Sequence, residues 1–199
     1  MTRPKYGDSG QAFPIYITVV GGLLFLAFAY FAVGQAAVNR NGAQTAADAA
    51  ALAAAQDRRD ALVDEWMINL ADPGTWLGIF DGDVGELELS CSRAEQLAVQ
   101  NDATLLGCTP DGLLGYTVEV ETNQTVGESI VPGTENYRSS EKATAVIEPR
   151  CTFQVPGGGA EDGPLPTLDC KGTKWKFDPT TPRDLLPKPE DLFDVHLAD

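Results

Sequence analysis

Histidine is nearly missing from this sequence, with one residue, His196, among 199. That excludes a histidine-based metal cluster and a His-dependent catalytic triad. Cations are also scarce: 14 Lys and Arg stand against 29 Asp and Glu, for a net charge of −15. Such a surface repels nucleic acid, which is therefore excluded as a partner. No Walker-type phosphate loop is present, because Gly157-Gly158-Gly159 lacks the following lysine and reads as linker. Asp81-Gly82-Asp83-Val84-Gly85-Glu86 falls short of a twelve-residue calcium loop with a terminal bidentate glutamate, and reads as a solvated turn. Cys91 and Cys108 are too widely spaced for a redox CxxC pair. No acid–base–nucleophile set stands out among the serines and carboxylates. The expectation is no catalytic residue, no cofactor and no metal. Asn123-Gln124-Thr125 fits a glycosylation sequon, which matters only in a host with the machinery.

Charge is absent altogether from Gln11 to Asn39, and there the chain has its one long apolar run. Phe13 to Val33 reads FPIYITVVGGLLFLAFAYFAV, long enough as a helix to cross a hydrocarbon core of about 30 Å. Signal-peptide cores are shorter, so the length favours a retained transmembrane helix over residues 12–38, with cleavage near Gly34 to Ala37 as the competing reading. Flanking charge says little about orientation: Arg3 and Lys5 precede the run, and Arg40 follows it. Cysteine placement says more. All four, Cys91, Cys108, Cys151 and Cys170, lie after the run, which fits disulfides in an oxidising compartment. The expected topology is a single pass in the cell membrane, N-terminus inside and the rest extracytoplasmic. Four buried thiols in a cytoplasmic domain are the alternative.

Alanine dominates the next stretch, with nine in the thirteen residues from Ala43 to Ala55. Alanine is the best helix former, so the membrane helix is expected to continue toward Leu70, with a bend near Asn39 to Gly42. Asp72-Pro73-Gly74 is expected to stop it. Small residues let helices approach closely, and Ala46, Ala47, Ala50, Ala51 and Ala54 form a candidate interface for another helix. The alternative is a stalk touching nothing.

Ser92 to Glu95 has capping-box spacing, and Ala94, Leu97, Ala98 and Asn101 then share a helical face. Asn101-Asp102 can supply a left-handed end. Ala103 to Cys108 looks extended, and Thr109-Pro110-Asp111-Gly112 reads as a turn. Leu114, Tyr116, Val118 and Val120 then alternate with polar or small residues, as in a half-buried strand. A third candidate strand runs through Ala143, Ala145 and Ile147 toward Cys151, Phe153 and Val155, with Pro149 marking an edge or bulge. A helix ending at Asn101 is about 15 Å long, and six extended residues cover about 20 Å in return. Cys108 can then come back to Cys91, which leaves Cys151 for Cys170.

From Pro156 the chain is rich in proline, glycine and acid and reads as a tail tied back by Cys170. Its apolar residues, Trp175, Phe177, Leu185, Leu186, Leu192 and Phe193, are expected to dock on the domain or on a partner. The expected fold class is α+β: a long N-terminal transmembrane helix, then a small domain with a short helix and antiparallel sheet. The expected divisions are a cytoplasmic tail 1–11, the transmembrane helix 12–38, an Ala-rich helical extension 39–71, the α+β domain 72–155 and the acidic tail 156–199.

Two blocks carry a family resemblance. Gly7-Asp8-Ser9-Gly10, the apolar run and TAADAAALAAA (Thr45 to Ala55) resemble the N-terminal part of TadE/TadG-like proteins, pilin-like components of the Flp/Tad pilus assembly system. Cys91, Ala94, Ala98, Asn101, Ala103, Leu105, Cys108, Asp111-Gly112 and Val118 to Glu121 are similar to the helix–strand–hairpin segment of actinobacterial members. The resemblance spans roughly residues 7–150. It implies a non-enzymatic, membrane-anchored component of a pilus or secretion apparatus, a minor pilin or assembly factor. The implied partners are other pilin-like or pilus-assembly membrane proteins, together with the bilayer around residues 12–38. One departure stands out: the fifth residue after Gly10 is Ile15, where prepilin-type chains carry glutamate. The alternative reading is a general membrane-anchored binding or scaffold domain unrelated to pili.

Overall fold

The computed structural model describes residues 12–85, 91–125, 136–154 and 165–198. It is α+β, and its spine is one unbroken helix, α1 (Ala12–Ile68). Fifty-seven residues at 1.5 Å each make it about 86 Å long. The helix is not broken at Asn39 to Gly42, where alanine on the far side sustains it through Gly42.

Its two halves differ in surroundings. From Phe13 to Val38 the large apolar side chains are exposed, Tyr30 by 83% and Val38 by 72%. From Ala43 onward the apolar side chains go under cover: Ala43, Ala47, Ala50 and Ala54 recur at helical spacing and are fully buried.

What covers them is a four-stranded antiparallel sheet in the order β1-β2-β3-β7. Its members are β1 (Ala103–Pro110), β2 (Gly115–Thr122), β3 (Ser140–Pro149) and β7 (Phe193–Leu197). Tyr116, Val118 and Val120 of β2 and Ala143, Ala145 and Ile147 of β3 point inward in strict alternation. Their polar neighbours face outward, including a Thr117–Thr144 hydroxyl pair 2.8 Å apart. A sheet with one apolar face must bury it on another element, and the alanine half of α1 is the surface against which it packs. Small side chains let the strands come close to the helix.

Two short helices flank this core. α2 (Pro73–Phe80) begins where a stop was expected. Asp72 is its N-cap, accepting from the Gly74 amide, and Pro73 takes the first-turn position that needs no amide hydrogen. α1 has already stopped at Ile68, so the residues expected to end it serve to start α2. α3 (Cys91–Gln100) packs on α1 and β1 through Ala94 and Ala98. It begins one residue before the expected cap, so Ser92 lies inside the helix and the capping position falls outside the described residues. Asp102, at φ 54°, makes the left-handed reversal into β1.

The region expected to be a tail contributes to the core. Cys151 and Thr152 form β4, Leu168–Cys170 form β5 and Thr173–Trp175 form β6, which together make a second antiparallel sheet. β7 then pairs with β3, Val195 opposite Ile147 and Phe193 opposite Pro149. Pro149 stands where β3 has run past β2, so its missing amide hydrogen interrupts no bond to that strand. Phe193 is buried as the first inward residue of Phe-Asp-Val-His-Leu, which alternates like a half-buried strand, and Leu168 of β5 and Leu192 just before β7 are buried beside it.

Candidate functional site

Residues capable of chemistry are thinly spread. Among the described residues no group of three His, Cys, Asp or Glu side chains could hold a metal ion. The four cysteines are spent in two disulfides, Cys91–Cys108 and Cys151–Cys170. The first ties the start of α3 to β1 across a Cα separation of 5.9 Å. The second joins directly paired residues of β4 and β5. His196 is exposed on β7. The Leu197 carbonyl beside its Nδ1 raises its pKa above the usual 6.5, and Glu148, 3.6 Å from Nε2, adds to that. Asp178 is lowered by hydrogen bonds from the hydroxyl and amide of Thr180.

The candidate site is instead a set of surfaces along α1. The first is the exposed apolar face from Phe13 to Val38. α1 is long and apolar enough to cross a membrane, with a mean hydropathy of 2.2 in its most apolar window and none of that window buried.

The second surface is the alanine face. Ala46, Ala47, Ala50, Ala51 and Ala54, expected to meet another helix, all have zero exposure. They lie under β2, β3 and α3 of their own chain. A second helix cannot occupy that face while the domain is folded, so the small residues serve close approach within one molecule.

The third is a seam where the apolar half of α1 meets the end of the sheet. Asn39 Nδ2 donates to the Gln124 carbonyl at 3.1 Å. The Thr122 hydroxyl accepts from the Ser139 amide at 3.2 Å and donates to Asn39 Oδ1, 3.1 Å away. Arg40 forms an ion pair with Glu141 of β3 at 2.7 Å. Asn39 and Arg40, where the uncharged stretch ends, are thus fastened to the domain. Beside this seam is a groove of about 600 Å³. Tyr30, Phe31, Gly34 and Val38 line its helix wall, and Asn101, Asp102, Thr122, Gln124 and Thr125 line the domain wall.

At the opposite end of α1 lies an aromatic cluster. Trp66 meets Trp76 edge-on with centroids 5.6 Å apart and Phe177 at 5.5 Å. Phe80 stacks on Phe193 at 5.0 Å and meets Phe153 edge-on. These contacts join α1, α2, the exit from β4 and the C-terminal segment into one core. Arg58, largely buried, donates to the Gly82 carbonyl just beyond α2, where a helix end favours a cation.

Sequence reasoning missed the seam and the aromatic cluster. The signal for the seam was available: Asn39-Arg40 is the first polar pair after 27 residues of uncharged, mostly apolar chain, and polar groups there must find partners.

Comparison with family models matches residues 10–57 to the family described as Flp pilus-assembly TadE/G-like. Comparison with curated proteins and with solved structures gave no match. The matched segment covers the exposed apolar face, the helix side of the seam at Asn39 and Arg40, and the alanine face from Ala46 to Ala54.

Proposed function

We propose, from the match of residues 10–57 to the Flp pilus-assembly TadE/G-like family, that the chain acts as a non-enzymatic, membrane-anchored minor pilin or assembly factor of that system. In this reading residues 1–11 stay in the cytoplasm and α1 crosses the cell membrane. The domain built on residues 39–198 stands outside it. Its partners are other pilin-like or pilus-assembly membrane proteins.

One observation carries the reading: the family match falls on the part of α1 that joins an apolar face to an alanine face. Physically, such a motif specifies a helix that leaves a bilayer and becomes the spine of a domain without a linker. Two disulfides suit an oxidising exterior and support the orientation. In this reading the contacts of Asn39 and Arg40 hold the domain close to the membrane surface.

The test has two arms. A membrane-impermeant thiol or amine reagent on wall-stripped cells, with disulfides reduced for the thiol arm, should label the domain. Protection until the membrane is opened overturns the orientation. Deleting the gene should abolish or shorten surface pili, with restoration by the full chain. Normal pili in the deletion, together with correct topology, would leave an anchored scaffold unrelated to pili.

A further inference from the structure

We propose that the groove beside the seam binds a membrane phospholipid whose headgroup carries a primary ammonium. The inference rests on the reading that α1 crosses the membrane. Given that reading, the groove opens at the level where the uncharged run ends. Its helix wall, Tyr30, Phe31, Gly34 and Val38 with Gln35 among them, continues the mostly apolar exposed face of α1. Aromatic rings at that level match the interfacial belt of membrane helices. Gly34 leaves open space where a side chain would otherwise stand, so an acyl chain can lie against the backbone.

The domain wall differs in kind. Asn101, Thr122, Gln124 and Thr125 bring hydrogen-bonding groups over the same space. Several are already engaged: Asn101 Nδ2 donates to the Leu97 carbonyl, and Thr122 is held by Asn39. Asp102 is exposed, and among the described residues no cation pairs with it. The nearby cation on α1, Arg40, is committed to Glu141. The groove therefore offers an apolar wall toward the bilayer and a free carboxylate above it. That combination selects a lipid by charge. An anionic headgroup is repelled by Asp102 and by a chain of net charge −15. A primary ammonium both pairs with the carboxylate and donates hydrogen bonds to it, whereas a quaternary ammonium does only the first. A second copy of the helix is the competing occupant. It would leave Asp102 facing apolar side chains, which costs more than leaving it solvated.

The test uses the full chain in lipid nanodiscs holding equal parts of phosphatidylethanolamine, phosphatidylcholine and phosphatidylglycerol. A benzophenone side chain replaces Gln124 on the domain wall, and in a separate sample Leu24 on the exposed face. After irradiation, adducts are identified by mass spectrometry. Both probes should give lipid adducts, in bulk proportion at Leu24 and enriched about fivefold in phosphatidylethanolamine at Gln124, as one interfacial charge contact allows. Asp102→Asn should return the Gln124 adducts to bulk proportion, and asparagine tolerates the left-handed backbone there, so the fold survives. Lipid in bulk proportion at Gln124, or adducts to a second copy of the chain, would overturn the proposal while leaving the anchor intact. An absence of lipid adducts at Leu24 would instead overturn the spanning reading and the groove with it.

Discussion

Replacing Ala50 by leucine tests what the alanine face is for. Leucine keeps helix propensity close to that of alanine, so the helix itself is not weakened. Ala50 has zero exposure, and it faces the strands and α3 within the same molecule. Three added carbons have no space there. Overpacking of this kind costs about 1–3 kcal/mol at one site. For a chain of this size, 1 kcal/mol moves Tm by about 2–4 °C, so Ala50→Leu should lower Tm by roughly 2–12 °C. Ala47 and Ala54 lie one turn away on the same face. The triple leucine variant would lose up to about 9 kcal/mol if the sites added, comparable with the whole stability of a typical domain. Neighbouring sites do not add simply, but the direction is fixed. The assay is urea or thermal unfolding of the detergent-solubilised chain, followed by tryptophan fluorescence, since Trp66 and Trp76 are fully buried. Gln56→Leu, on the exposed side of the same helix, is the control and should change stability by less than about 0.5 kcal/mol. If Ala50→Leu melts like the unaltered chain while partner capture is lost, the face is free and the packing described here is wrong.

Other expectations follow the same logic. Removing Cys91–Cys108 by a double serine substitution should cost about 3 kcal/mol, read from the urea midpoint, because it frees a loop of moderate length in the unfolded chain. Gly82→Ala should cost at least about 1 kcal/mol in the same assay: φ is +80° and the new Cβ would sit 2.8 Å from the Leu113 carbonyl oxygen. Phe193→Ala should cost about 3–5 kcal/mol and loosen β7, seen as faster amide exchange at Val195 and Leu197. His196 should titrate above 6.5 by NMR, and Glu148→Gln should lower its midpoint. Because the folded value is raised, the stabilisation is full below 6.5 and disappears as pH rises through the folded value.

Much of the fold could be read from sequence where one signal dominated. Hydropathy and alanine content mark α1, alternation from Leu114 to Val120 marks β2, and Asn101-Asp102 marks a reversal. The rest failed for physical reasons. Asp72-Pro73 can end a helix or start one, and the first meaning hid the second, which is the one realised in α2. β5 and β6 have three residues each, too few to show a period. Phe193, Val195 and Leu197 do alternate, but the proline and acid before them look like a tail. The alanine face was open to two readings because small residues suit contact within a molecule as well as between molecules. A further consideration decides between them. The inward residues of β2 and β3 need an apolar surface, and the alanine half of α1 is the long apolar surface that sequence offers outside the membrane run.

The sheet that closes over α1 has consequences for synthesis. The core joins Ala46 to Phe193, so the domain cannot close until Phe193 has been made, long after the alanine half of α1. At about 5–20 residues per second the alanine half of α1 waits many seconds in water without its cover. A leucine-rich surface would spend that wait seeking other apolar surfaces or entering the bilayer beside the segment before it. Alanine is apolar enough to seat the sheet once it arrives, and weakly apolar enough to remain solvated until then.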